Sequence, residues 1–67
     1  METIFLVELG SKGKDVFGEG HWTRDAPFEV VERYDVDLGT YYVPYHIRSR
    51  GVHFYEDELI FLSEREE

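Results

Sequence analysis

A chain of 67 residues with fifteen acidic and seven basic side chains, formal charge −8, leaves room for one small domain and no linker. That charge disfavours nucleic-acid binding, whose affinity rests mainly on phosphate contacts from Lys and Arg. Cysteine is absent, which excludes a disulfide framework and a thiolate metal site as the brace for a domain this small. Such a chain sits near break-even between apolar burial and the entropy of ordering, about 1.5 kcal/mol per residue. The 16% aromatic content points to dense packing as what holds it.

From Met1 to Asp15 the only apolar run is Ile4 to Val7, with no basic stretch before it. Neither a signal peptide nor a membrane span is expected, and the cytoplasm is the default location. Thr3 to Leu9 reads as a first strand, Phe5, Val7 and Leu9 alternating with Ile4, Leu6 and Glu8. Both of its faces are partly apolar, as when one packs an interior and the other is covered by a loop or a neighbouring chain. Gly10 to Gly20 carries four glycines and four charges without a period, and predicts a long loop tacked to the body by Val16 or Phe17. Gly10, Gly13 and Lys14 lack the spacing of a phosphate-binding P-loop, and no Ser or Thr follows the Lys.

Beyond His21, Trp22 and Thr23, Pro27 holds the chain extended. Phe28 to Val36 then predicts a second strand, with a bulge between Val30 and Val31 bringing both valines inward. Asp35 to Thr40 supplies a turn, Gly39 taking positive φ and Asp37 bonding the local backbone. Tyr41 to Arg48 alternates again, Tyr41, Val43, Tyr45 and Ile47 against Tyr42, Pro44, His46 and Arg48. Ser49, Arg50 and Gly51 make a hairpin loop into a fourth strand, Val52 to Tyr55. Glu56, Asp57 and Glu58 form one helical turn, Leu59 to Leu62 a closing strand, and Glu64 to Glu67 a frayed acidic tail.

The order carried by Tyr45 to Arg48, Gly51 to Tyr55 and Glu56-Asp57-Glu58-Leu59 resembles the C-terminal half of SH3-like small β-barrels, a layout met in small bacterial and phage proteins. The resemblance spans residues 41–62. It implies an all-β, five-stranded SH3-like barrel over residues 1–63, with a 3₁₀ turn before the last strand, the Leu of that turn in the core, and residues 64–67 as the tail. The proline-peptide groove of signalling SH3 domains opens with an A-L-Y-D-Y-like motif after the first strand. Here Glu8-Leu9-Gly10-Ser11 stands in that place, so that groove does not carry over. Tudor-like members use an aromatic cage, and no spacing of Trp22 with two tyrosines secures one.

His21, His46 and His53 fall in different predicted elements, and although His46 and His53 could meet across strands, no H-E-x-x-H or similar spacing supports a metal site. Ser11, Ser49 and Ser63 have no nucleophile signature, and a barrel this small fills its interior with side chains. The chain therefore reads as a non-enzyme without cofactor or metal. Binding is the better fit. Trp22, Tyr34, Tyr41, Tyr42, Tyr45 and Tyr55 exceed what a small core hides, and such rings suit interfaces.

The expected binding surface is Trp22, Tyr42, Tyr45, Tyr55, Glu56, Asp57 and Glu58, acidic and aromatic. It suits a basic protein partner through cation–π contact and charge steering, or a second copy, with Ile4, Leu6, Ile60 and Leu62 as a further apolar face. Two alternatives belong to other classes. One is a phage-type acidic decoy that blocks a nucleic-acid-binding host protein by presenting carboxylates where phosphates would sit. The other is direct nucleic-acid binding by a local face of Arg33, Arg48, Arg50 and tyrosines, which the net charge opposes. Asn and Gln are absent along with Cys, a composition seen in proteins from hot environments.

Overall fold

The computed structural model describes residues 1–46 and 52–67. The expected end of the third strand at Ile47 and Arg48, the hairpin loop of Ser49, Arg50 and Gly51, and the basic patch at Arg48 and Arg50 lie outside the described residues.

Among the described residues four strands form one antiparallel sheet: β1 (Thr3–Leu9), β2 (Phe28–Asp35), β3 (Gly39–Pro44) and β4 (Leu59–Glu66), in the order β3-β2-β1-β4. The all-β expectation holds, and the first strand has the bounds its alternation indicates. A 3₁₀ turn at Glu56–Glu58 precedes the last strand, as expected, and Leu59, directly after it, is buried in the core. Gly39 has φ of +77°, the conformation its turn demands. Asp35 Oδ1 accepts the N–H groups of Asp37 and Leu38 there, the local bonding expected of Asp37 being supplied by Asp35 instead.

The expected five-stranded closed barrel is corrected on two counts. Among the described residues the fourth of the five expected strands is reduced to a single bridge, Tyr42 and Phe54 exchanging N–H···O bonds of 2.8 and 2.9 Å. Pro44 explains the shortness. Two residues from Tyr42, it would face the same outer edge, and it has no N–H to donate; in the other direction the chain turns into the 3₁₀ segment. The sheet is also not closed, for β3 and β4 end the strand order and do not pair with each other. It is nevertheless strongly curled. The rings of Tyr42 on β3 and Phe61 on β4 meet at 5.2 Å although two strands separate them in the order.

Its concave side holds the main core of Val7, Leu9, Phe28, Val30, Tyr42, Phe54 and Leu59, with Phe5, Phe17, Trp22 and Val52 packed against it. Ile4 and Val31, paired across β1 and β2, are buried on the convex side. This removes the need for the bulge expected between Val30 and Val31. The register runs through both without interruption, and each valine is buried on its own face. A register shift falls in β4 instead, where Leu6 pairs with Ser63 and Val7 with Phe61, leaving Leu62 as the extra residue.

The long loop expected over Gly10 to Gly20 contains a short helix, α1 (Ser11–Val16), followed by a 3₁₀ turn at Trp22–Arg24. Arg24 donates from Nη1 to the carbonyls of Lys14 and Phe17, both at 2.9 Å, tying the end of α1 to that turn. Phe17 anchors the segment by packing on Phe54, while Val16 is exposed. The acidic tail expected from Glu64 is ordered, β4 running to Glu66 and Glu67 exchanging two 2.9 Å backbone bonds with Glu2. Among the described residues no helix is long and apolar enough to cross a membrane.

Candidate functional site: a concave aromatic groove

Curling brings one aromatic ring from each of three strands to the open seam of the sheet. Phe5 of β1 lies edge-on to Tyr42 of β3 (5.9 Å, 90°) and to Phe61 of β4 (5.5 Å, 88°). Tyr42 and Phe61 close the triangle at 66°. Edge-to-face packing of this kind fixes each ring by its neighbours. Tyr42 is almost wholly buried, and Phe61 is 37% exposed.

These three rings floor a groove of about 480 Å³ whose remaining lining is Glu32, Glu56, Leu62, Ser63 and Glu64. The carboxylates come from β2, the second 3₁₀ turn and β4. Among the described residues no Lys or Arg lines it. The Tyr42 hydroxyl reaches Glu32 Oε2 at 3.4 Å, and its pKa is raised by burial first, then by the charges of Glu32 and Glu56. The tyrosine therefore stays neutral and serves as a donor and a ring, not as a base. Across Phe5 and Glu32 the groove adjoins a second depression lined by Met1, Glu2 and Thr3.

The expected surface residues do not form one cluster. Tyr42 and Glu56 share the groove. Tyr55 is 38% exposed beside it in sequence and is not part of its lining. Asp57 pairs with Lys12 of α1, whose ammonium it holds above its ordinary value. Glu58 is buried, accepting the Tyr55 N–H at 2.8 Å, so its carboxylate is spent inside the turn. Trp22 packs edge-on against Phe28 at 5.0 Å and stacks on His21, as part of the core margin.

Tyr45 lies on the convex side within a charged clamp. Its hydroxyl donates to Glu67, Arg65 stands 5.7 Å over its ring, and Arg65 also binds Glu29 at 2.9 Å and Glu67 at 2.8 Å. His46 bonds the same Glu29 at 2.7 Å. His53 packs on Tyr41. Among the described residues no group of three or more histidine or acidic side chains is placed to hold a metal ion.

Sequence reasoning passed over Phe5, Glu32, Phe61 and Glu64. Their alternation assigns them to a face, and a face predicted as interior gives no sign that one end of it stays open. Of the expected self-association face, Ile4 is buried, whereas Ile60 and Leu62 are each nearly half exposed. No protein family, characterised protein or solved structure matches this chain.

Proposed function

We propose that this protein is a non-catalytic protein-binding module of the SH3-like type, and that its concave groove receives a cationic side chain of a protein partner. The observation that carries the reading is the triangle of Phe5, Tyr42 and Phe61 ringed by Glu32, Glu56 and Glu64, with no cation in the lining among the described residues. Ring faces attract a guanidinium or ammonium, and surrounding carboxylates steer it in and neutralise it. The acids surround a pocket on three separate elements, which suits a single inserted side chain better than a row of carboxylates displayed in place of phosphates. Support for the SH3-like reading comes from the strand order, the 3₁₀ turn before β4 and the single bridge at Phe54 in the place of the missing strand.

Titration with an arginine-containing peptide, followed by the amide and ring signals of Phe5, Tyr42 and Phe61, tests this. Binding is expected to weaken about tenfold or more in Phe61→Ala and in the double charge reversal Glu32→Lys with Glu64→Lys, and to weaken with added salt. Equal affinity in both variants would remove the groove from consideration.

A further inference from the structure

β4 is an end strand of the sheet over eight residues, and the register shows which of its backbone groups face outward. Glu2 and Glu67 exchange both of their backbone bonds. In an antiparallel pair such residues alternate with ones whose N–H and C=O point away from the neighbour. Counting back along the register, Arg65 and Ser63 face β1, while Glu66 and Glu64 face away. On the other side of the Leu62 irregularity, Gly10 donates to the carbonyl of Glu58, so Ile60 faces β1 and Phe61 and Leu59 face away. The Leu59 N–H is already used, donating to Glu56 O. Among the described residues, the outward backbone groups of Phe61, Glu64 and Glu66 have no partner.

An open edge of this length is commonly blunted by a bulge, a proline or an outward lysine. The bulge is present at Leu62, between the outward residues Phe61 and Glu64, and interrupts the edge at one point; a proline or lysine would close it further. β4 has neither: its sequence is Leu-Ile-Phe-Leu-Ser-Glu-Arg-Glu, and its only cation, Arg65, is held on the convex side by Glu29 and Glu67. The edge also borders the groove. Phe61 and Glu64 belong to both, and farther along the strand the Glu66 carboxylate accepts the Thr3 hydroxyl.

We infer that the outer edge of β4 from Phe61 to Glu66 is a docking site for an extended basic segment of a partner protein, which adds to the sheet as a further antiparallel or parallel strand. The inference rests on the groove reading and specifies the form of the partner. Main-chain bonds to Phe61, Glu64 and Glu66 hold the segment, and alternate side chains point into the concave groove. Charge selects the occupant. Glu32, Glu56, Glu64 and Glu66 border its path, so alternate Lys or Arg residues meet acids and aromatic rings. A second copy of this chain would bring eight more net negative charges to the same edge and is disfavoured on that ground.

The probe is a short synthetic peptide of alternating lysine and valine, compared with the same peptide N-methylated at alternate amides in either phase, and with N-acetyl-lysine amide as a lone side chain. Binding is measured by calorimetry and by amide shifts of the intact protein. The unmodified peptide is expected to shift Phe61, Glu64 and Glu66. One phase of N-methylation is expected to weaken it about fivefold or more, as loss of main-chain bonds does, and the lone lysine is expected to bind weakly at the aromatic rings.

Glu64→Pro removes one outward donor without breaking a bond to β1, and Glu64→Ala removes the same carboxylate while keeping that donor. The proline variant is expected to bind the peptide more weakly than the alanine variant. Binding of both methylated peptides at the unmodified affinity overturns the edge and leaves the groove standing. Failure of the peptides and of the lone lysine alike overturns both.

Discussion

Of the described glycines, Gly13 lies closest against another segment. A Cβ there would overlap the carbonyl oxygen of Glu58 and come within 2.9 Å of Leu9 Cδ2. Because that carbonyl is backbone and already accepts the Gly10 N–H at 2.9 Å, it has little freedom to retreat. Alanine is the better helix former by about 1 kcal/mol, yet overpacking costs about 1–3 kcal/mol, so the steric effect wins. Gly13→Ala is expected to lower the midpoint of thermal unfolding by several degrees, at about 4–8 °C per kcal/mol for a small domain. Gly18→Ala, with nothing within 4 Å of its Cβ, is expected to leave the midpoint unchanged or slightly raised. The glycines were legible as a class in the sequence. Which one is pressed against another segment was not, because that depends on where the second 3₁₀ turn docks.

The second half of β4 is held on the convex side by charges, not by apolar burial. Arg65 lowers the pKa of Glu29, with His46 assisting, and the Tyr45 hydroxyl followed by Arg65 lowers that of Glu67. Both groups ordinarily titrate near 4.5. With folded values depressed, their contribution is complete above that value and is lost as pH falls through the lowered ones. Arg65→Met is therefore expected to melt below wild type at neutral pH, and the gap is expected to narrow as the pH falls below the ordinary value of 4.5. Melting curves of both proteins from neutral pH to below that value check it, and a gap independent of pH would show that Arg65 acts through packing alone. This clamp also explains why an acidic segment that reads as a frayed tail is strand to Glu66. Composition shows the acids, whereas their partners Arg65, Tyr45 and the Glu2 backbone come together only in the fold.

For the whole molecule, Phe54 is the residue that ties the outer edge of β3 to the core. It is fully buried, bridges Tyr42 of β3 and packs on Phe17 and Phe28 at 5.0 and 5.2 Å. Phe54→Ala is expected to cost about 3–5 kcal/mol. A domain of this length holds roughly 3–10 kcal/mol in total, so circular dichroism with urea titration is expected to find the variant partly or wholly unfolded. The sequence by itself determined the local periods: the strand from Thr3 to Leu9, the glycine turn at Gly39, the acidic turn before Leu59 and the all-β class. Each is a property of neighbouring residues, readable from alternation or from a required φ. Only the tertiary structure decided that α1 forms between β1 and β2, that the fourth expected strand shrinks to one bridge, and that Phe5, Tyr42 and Phe61 meet beside Glu32, Glu56 and Glu64. Alternation assigns a side chain to a face, but the curl that brings β3 and β4 together, and leaves their seam open, is set by pairing between distant segments and by the extra residue at Leu62.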